Sequence, residues 1–312
     1  MLAMLIIGLA LAAAAPPPAS TRAGWVKRAE GPVLGGELGS IFDVNVLREQ
    51  GTFRLWFSWR ARKSLALVES ADGIHWGPPV LVLGPNPASG WEDDINRPAV
   101  LKRGETYHLW YTAQARGKSS LGYATSRDGI TWTRQSERPV LVAEQRWEKV
   151  AVMCPHVLWD EDARLYRMWY SGGAQREPDA IGYATSADGR TWSKDAANPI
   201  FQAKRANPWE AAKVSGAQVV RLGDAYVMFY IGFADPHHAR IGLARSADGV
   251  HDWQRHGANP IIAPTRRGWD GDAVYKPFAL YDGTRWLLWY NGRRGKLEQI
   301  GLAMHEGEDL GF

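Results

Sequence analysis

Five short runs in this chain can be stacked on one another, and the residues that differ between them are the ones with chemistry. The runs are "IFDVNVL", "INRPAVL", "VMCPHVL", "VSGAQVV" and "VYKPFAL". One column of the stack holds Asp43, Arg97, Cys154, Gly216 and Lys276. Two residues on stand Asn45, Ala99, His156, Gln218 and Phe278. Three residues before the first column come Ser40, Asp94, Ala151, Lys213 and Ala273. Each run reads as a strand, and side chains alternate along a strand, so the first two columns are expected on one side. An Asp, an Arg, a Lys, a His and a Gln would then converge on one place. Such a mixture can hold sugar hydroxyls or a charged group, or it can be a plug of water and salt bridges.

The elements that must position these residues are repeats. "LALVESADGIHW", "LGYATSRDGITW", "IGYATSADGRTW" and "IGLARSADGVHDW" share a turn whose aspartates are Asp72, Asp128, Asp188 and Asp248, spaced 56, 60 and 60 residues apart. An aromatic strand occurs five times, as "FRLWFS", "YHLWYT", "YRMWYS", "YVMFYI" and "WLLWYN". A Trp-acid pair precedes four of the β-rich runs: Trp91-Glu92, Trp147-Glu148, Trp209-Glu210 and Trp269-Asp270. Each unit therefore holds a β-rich strand, an aromatic strand, a third strand ending at the Asp-Gly turn, and a fourth beyond it. Four-stranded units at this period predict an all-β, five-bladed propeller with antiparallel blades.

The fifth unit lacks a fourth strand. Near the start of the chain, "WVKRAEGPVLGG" matches "WSKDAANPIFQA" from the third unit, Trp25 on Trp192. The N-terminal segment is thus expected to complete the last blade and close the ring. Repeated tryptophans such as Trp76, Trp132, Trp192 and Trp253 are expected to pack between blades. In this topology the starts of the β-rich strands and the loops after the aromatic strands share one face. The repeated Asp-Gly turns lie on the other. The first face carries the variable residues: Trp59, Arg60 and Arg62, Gln114 and Arg116, Arg176 and Asp179, Phe233, Asp235, His237 and His238, and Arg293 and Glu298. Trp59 and Phe233 are candidate sugar platforms or core residues. Adjacent His237 and His238 make a poor metal pair without a spaced partner.

Residues 1–20 open on an apolar run, "MLAMLIIGLALAAAAPPPAS", which reads as a signal peptide. Residues 21–312 then form one propeller domain, secreted or periplasmic, with no integral membrane domain once the leader is removed. A monomer is expected. Cys154 is the only cysteine, which excludes an internal disulfide and any multi-cysteine metal cluster. A net charge of +4 without a dense basic run gives no support to a nucleic-acid partner.

The "YATSxDGxxW" blades, the following "NPI" or "RPV", and the "W-E/D … P-x-V-L" crossings resemble the five-bladed propeller glycosidases. That superfamily includes arabinofuranosidase/xylosidase family 43-like and invertase-like hydrolases and mannoside phosphorylases. The resemblance implies a glycoside hydrolase acting on a poly- or oligosaccharide through carboxylates near the axis. It places Asp43 as base or nucleophile, with Val44 where the family has a proline. The family's acid is a Glu in "E-G-P" or "E-C-P"; here "MCP" and "SGA" put Met153 and Ser215 at that position. Asp94 is then the second carboxylate, as acid or as modulator of the other, with Glu210 and Glu148 in reserve. Asn96, Arg97, His156, Lys213, Lys276, Arg293, Glu298 and Trp59 would hold substrate. No cofactor is expected; a divalent cation near the axis would have only His156 to ligate it. A phosphorylase would use the same cationic funnel for inorganic phosphate, and a non-catalytic glycan-binding propeller would keep the funnel without the acid.

Overall fold

The computed structural model describes residues 20–174 and 178–312. The expected leader, apart from Ser20, and Arg176 lie outside the described residues.

The chain is all-β, and its sheets are four-stranded and antiparallel, as the repeats predict. Five first strands, Ile41–Glu49, Asp94–Arg103, Ala151–Asp160, Lys213–Leu222 and Ala273–Tyr281, each begin a unit. Each pairs antiparallel with the aromatic strand that follows: Thr52–Trp59, Thr106–Ala115, Leu165–Gly173, Ala225–Asp235 and Arg285–Arg294. Third strands Ser64–Ser70, Lys118–Ser126, Pro178–Ser186, His238–Ser246 and Leu297–Glu306 extend the sheets. A short fourth strand completes each of the first four units. The sheets of the second and third units touch through one parallel bridge, Ala151 to Ser119.

The fifth unit takes its fourth strand from the other end of the chain. Val26–Lys27 pairs antiparallel with Leu297–Glu306, Val26 opposite Met304 and Lys27 opposite Ala303. Leu34 then bridges Ile300, as Phe201 pairs with Ile181 in the third unit. The match of Trp25 to Trp192 in the sequence thus reflects equal positions in two sheets.

Apolar side chains of neighbouring units interlock. Trp56, Leu65 and Leu67 of the first unit pack with Leu109 and Tyr111 of the second. Trp289, Ile300 and Leu302 of the fifth pack with Ile41, Val44 and Phe57 of the first. Aromatic-strand tryptophans also donate to the Asp-Gly turn of the next unit: Trp56 Nε1 to Gly129 O, Trp110 Nε1 to Gly189 O and Trp169 Nε1 to Gly249 O. Trp289 Nε1 does the same to Gly73 O, 2.9 Å away, from the fifth unit to the first. The fourth unit has Phe229 instead, and Trp25 packs edge-on against it.

The turns themselves are held alike. One Asp oxygen accepts two backbone N–H groups, Ile74 and His75 on Asp72, Ile130 and Thr131 on Asp128, with the same pattern at Asp188 and Asp248. These bonds to the charged form hold the Asp128 carboxyl below its ordinary range, at about 2. Four aspartates tied up in this way are scaffold.

Candidate active site

All five first strands break register at the same place. The pairing shifts between Phe42 and Asn45, Asn96 and Ala99, Met153 and His156, Ser215 and Gln218, and Tyr275 and Phe278. Each break is a bulge, and the residue inside it is left-handed: Asp43 (φ 56°), Arg97 (56°), Cys154 (53°), Gly216 (58°) and Lys276 (50°). Four of the five are not glycine, so the strain is accepted for the side chain it carries. The bulge also breaks the alternation expected along the strand.

Polar groups of the preceding unit hold these bulges. Asn291 Oδ1 accepts from Asp43 N, Ser58 Oγ from Arg97 N, Thr112 Oγ1 from Cys154 N, and Ser171 Oγ from Gly216 N. The equivalent residue before Lys276 is Ile231, which offers no acceptor.

The second column turns to a different task. Asn45 exchanges two hydrogen bonds with the Val100 backbone, and Gln218 exchanges two with Ala279. His156 Nε2 meets Val219 O at 2.7 Å. These residues stitch the first unit to the second, the third to the fourth and the fourth to the fifth. Burial, followed by the Lys276 charge, pushes His156 down to about 4 against the pull of its Val219 bond, so the ring is neutral at pH 7.

A cavity of about 470 Å³ opens where the bulges converge. Asp43, Arg97, Cys154 and Lys276 line it, with Asp94, Asn96, Tyr275, Arg293 and Glu298. Asp43 is 3% exposed. Its Oδ2 lies 3.3 Å from Arg97 Nε, an ion-pair distance, but takes no hydrogen bond. Arg97 Nη1 donates to Asn96 Oδ1, and Asn96 Nδ2 donates to Asp94 Oδ1 at 3.1 Å. A continuous polar path therefore runs from Asp43 through Arg97 and Asn96 to Asp94. Burial opposes the Arg97 charge, but Asp43, Cys154 and Glu298 outweigh it and raise the pKa. Glu298 Oε2 accepts from Arg60 Nε at 2.8 Å, and its Oε1 accepts from the Tyr275 hydroxyl. Burial first, then the Glu298 charge, holds the Tyr275 phenol well above its usual range.

Of the residues expected from sequence, the lining brings together Asp43, Asp94, Asn96, Arg97, Lys276, Arg293 and Glu298. It does not include His156, Lys213, Trp59, Glu148 or Glu210. Lys213 lies over the Phe233 ring. Trp59 donates to Leu38 O and packs at a tilt against Phe57, a packing role. The reserve acids belong to the scaffold. Glu148 is fully buried and accepts from Tyr170, Lys194 and two backbone N–H groups. Glu210 is equally buried among Tyr230, Asn207 and Arg255. Glu92 repeats the arrangement with Tyr111 and Arg134, and Asp270 with Tyr290 and Lys27. Each Trp-acid pair thus binds one tyrosine hydroxyl and one base from a fourth strand. Tyr275 was missed. Its signal was its column, shared with Phe42, Asn96, Met153 and Ser215, just before the bulge. Among the described residues no cluster of three or more His, Cys, Asp or Glu could hold a metal ion. No helix among them is long and apolar enough to cross a membrane.

Repeated antiparallel sheets with carboxylates and cations gathered at one end of their first strands define a glycoside-hydrolase-like scaffold. The chain belongs to the family described as glycosyl hydrolases family 32 N-terminal domain, whose model matches residues 85–260. It is 27% identical to an uncharacterized protein of Mycobacterium tuberculosis, over 83% of this chain and 89% of that one. It is also 27% identical to a 1,2-beta-oligomannan phosphorylase of Thermoanaerobacter sp., over 73% of this chain and 75% of that protein. A solved glycoside hydrolase shares the fold with a TM-score of 0.73 at 18% identity, over 89% of this chain and 92% of that one.

Proposed function

We propose that this chain is an exported enzyme that cleaves a glycosidic bond of a poly- or oligosaccharide in the bulge-lined cavity. Residues 21–312 act as one domain of five blades. The Val26–Lys27 pairing and the Trp289–Gly73 bond support a ring closed between last and first blades. The apolar run at residues 1–20 supports export.

The observation that carries the reading is the carboxylate pair at the cavity wall, Asp43 buried at its base and Asp94 more open, joined through Arg97 and Asn96. Glycoside cleavage needs one carboxyl to protonate the leaving oxygen and another to activate water or attack the anomeric carbon. Asp94, more accessible, gives its proton to the glycosidic oxygen as the C–O bond breaks. Asp43 takes the proton of the incoming water, or bonds to the anomeric carbon before water releases it. The Asn96 amide bridges the two sides and keeps Asp94 oriented. Nothing in this scheme calls for a cofactor.

A second reading is phosphorolysis, favoured by the cationic lining and by the phosphorylase relative. There a phosphate oxygen bonds to the anomeric carbon as the glycosidic bond breaks, and Asp94 again protonates the leaving oxygen.

The test is a glycan panel incubated with purified protein, with and without inorganic phosphate, beside Asp43→Asn and Asp94→Asn. Loss of product release in both variants is expected, by roughly two orders of magnitude or more for an acid–base group. Equal release from Asp43→Asn and the wild type would remove Asp43 from the mechanism. Binding without release across the panel would favour a glycan-binding propeller.

A further inference from the structure

Lys276 stands apart from the other charges of the cavity. Arg97 is paired with Asp43, and Arg60 with Glu298. Lys276 is 6% exposed, and among the described residues no hydrogen bond or ion pair holds its ammonium. It sits at a left-handed bulge position, and it lines the cavity. On one side its neighbour in the ring of bulges is Gly216, where an added Cβ would stand 3.4 Å from Lys276 Cδ. Arg293 lines the same wall; its Nη2 donates to His237 O at 2.9 Å, and among the described residues it has no carboxylate within ion-pair reach. Among the described residues the lining thus sets four cations, Arg60, Arg97, Lys276 and Arg293, against three carboxylates, Asp43, Asp94 and Glu298. The stem of Lys276 is buried while its ammonium faces the cavity, so an anion entering there meets a positive charge that no carboxylate among the described residues already pairs.

We propose that Lys276 and Arg293 form an oxyanion subsite in the cavity. Its ligand is a carboxylate, sulfate or phosphate group, which reaches the site either as a charged substituent of the sugar or as free inorganic phosphate. The inference rests on the cavity being the glycan site and adds the charge of what binds there. Arg293 supplies a planar fork of donors and Lys276 a point charge, a pair suited to an oxyanion. A neutral hydroxyl would leave the ammonium uncompensated.

The experiment uses the full chain, Lys276→Met and Arg293→Gln. Inorganic phosphate, glucuronate and glucose are titrated by calorimetry and by thermal shift. The wild type is expected to bind phosphate, glucuronate or both, and glucose more weakly. Lys276→Met should lose roughly tenfold or more in anion affinity, the worth of a hydrogen bond to a charged group, while melting no lower than the wild type without ligand. Arg293→Gln, at a partly exposed position, should weaken the same anions. Turnover separates the sources. A rise in KM confined to uronate-bearing or sulfated glycans assigns the subsite to the sugar; loss of phosphate-dependent release of a sugar phosphate assigns it to inorganic phosphate. Anion binding equal in wild type and Lys276→Met, or absent from both, overturns the proposal. Failure to cleave any glycan would count against the enzymatic reading alone, because the titrations still decide the subsite.

Discussion

Lys27 offers the sharpest test of how the two ends of the chain are held. Its ammonium donates to Ala263 O at 2.6 Å, Thr265 Oγ1 at 3.0 Å and Asp270 Oδ2 at 2.6 Å. Its side chain is 11% exposed and that of Asp270 is 1% exposed. Burial lowers the Lys27 pKa even with Asp270 beside it, so desolvation outweighs the attraction. The pair as a whole therefore contributes little net stability, yet breaking it leaves Asp270 buried with only the Tyr290 hydroxyl and Thr265 N as donors. Removing one partner of a buried pair costs about 3–5 kcal/mol, a large share of a typical folding stability of about 5–15 kcal/mol. Lys27→Met should lose that much in urea unfolding followed by tryptophan fluorescence. Asp270→Asn placed on top of it should recover a good part, since the stranded charge is gone. Lys194→Met, which strands Glu148 inside the third unit, provides the comparison: a similar loss means that the N-terminal strand is as firmly seated as a strand in continuous sequence. A Lys27→Met protein within about 0.5 kcal/mol of the wild type, or a double variant whose loss is the sum of the two single ones, would refute the reasoning.

His156 should make stability fall in mild acid. Its pKa drops from an ordinary 6.5 to about 4 in the folded chain. Above pH 6.5 both folded and unfolded states are neutral; as pH falls toward 4 the unfolded chain takes up a proton that the native ring refuses, a loss of about 3 kcal/mol in all. His156→Gln keeps a donor for Val219 O, as Gln218 does for Ala279 O, and should flatten the urea midpoint between pH 6.5 and 4. The half-buried His108 is also pushed down to about 4, so it is common to both proteins and the difference isolates His156. An unchanged slope would show that His156 titrates normally. Trp289→Phe removes the donor to Gly73 O and should cost about 2 kcal/mol, read by chemical denaturation; a loss under about 0.5 kcal/mol would mean that the bond between the fifth and first units contributes nothing.

Periodicity made most of the scaffold legible. The Asp-Gly turns, the aromatic strands and the match of Trp25 to Trp192 recur as words, because each unit solves the same packing problem. The column of Asp43, Arg97, Cys154, Gly216 and Lys276 could be aligned for the same reason. What the words could not reveal was the bulge, which has no residue signature here beyond a column of mismatched types. Strict alternation then put His156 and Gln218 beside Asp43, whereas the extra residue in each strand sends them to neighbouring backbones. Glu148 and Glu210 were ambiguous because a buried carboxylate serving a tyrosine and a base is spelled like a catalytic one. Their recurrence in four units was the hint of a structural task. Tyr275 escaped notice because the hydroxyl that reaches Glu298 lies across two strands of one sheet, a contact that no short motif encodes.

The pairing of Val26 with Met304 has a consequence for how the molecule is made. The segment around Val26 must stay uncommitted until the strand carrying Met304 has followed it. Until then the last sheet lacks its outer edge, and Asp270 lacks its cation. Such a sequence-distant contact comes late, since a long loop must close before it is rewarded. Assembly from one terminus onward cannot finish the molecule. The latch leaves the ribosome long before the strand that receives it, and a nascent protein stalled short of Leu297–Glu306 would hold that latch with nowhere to dock.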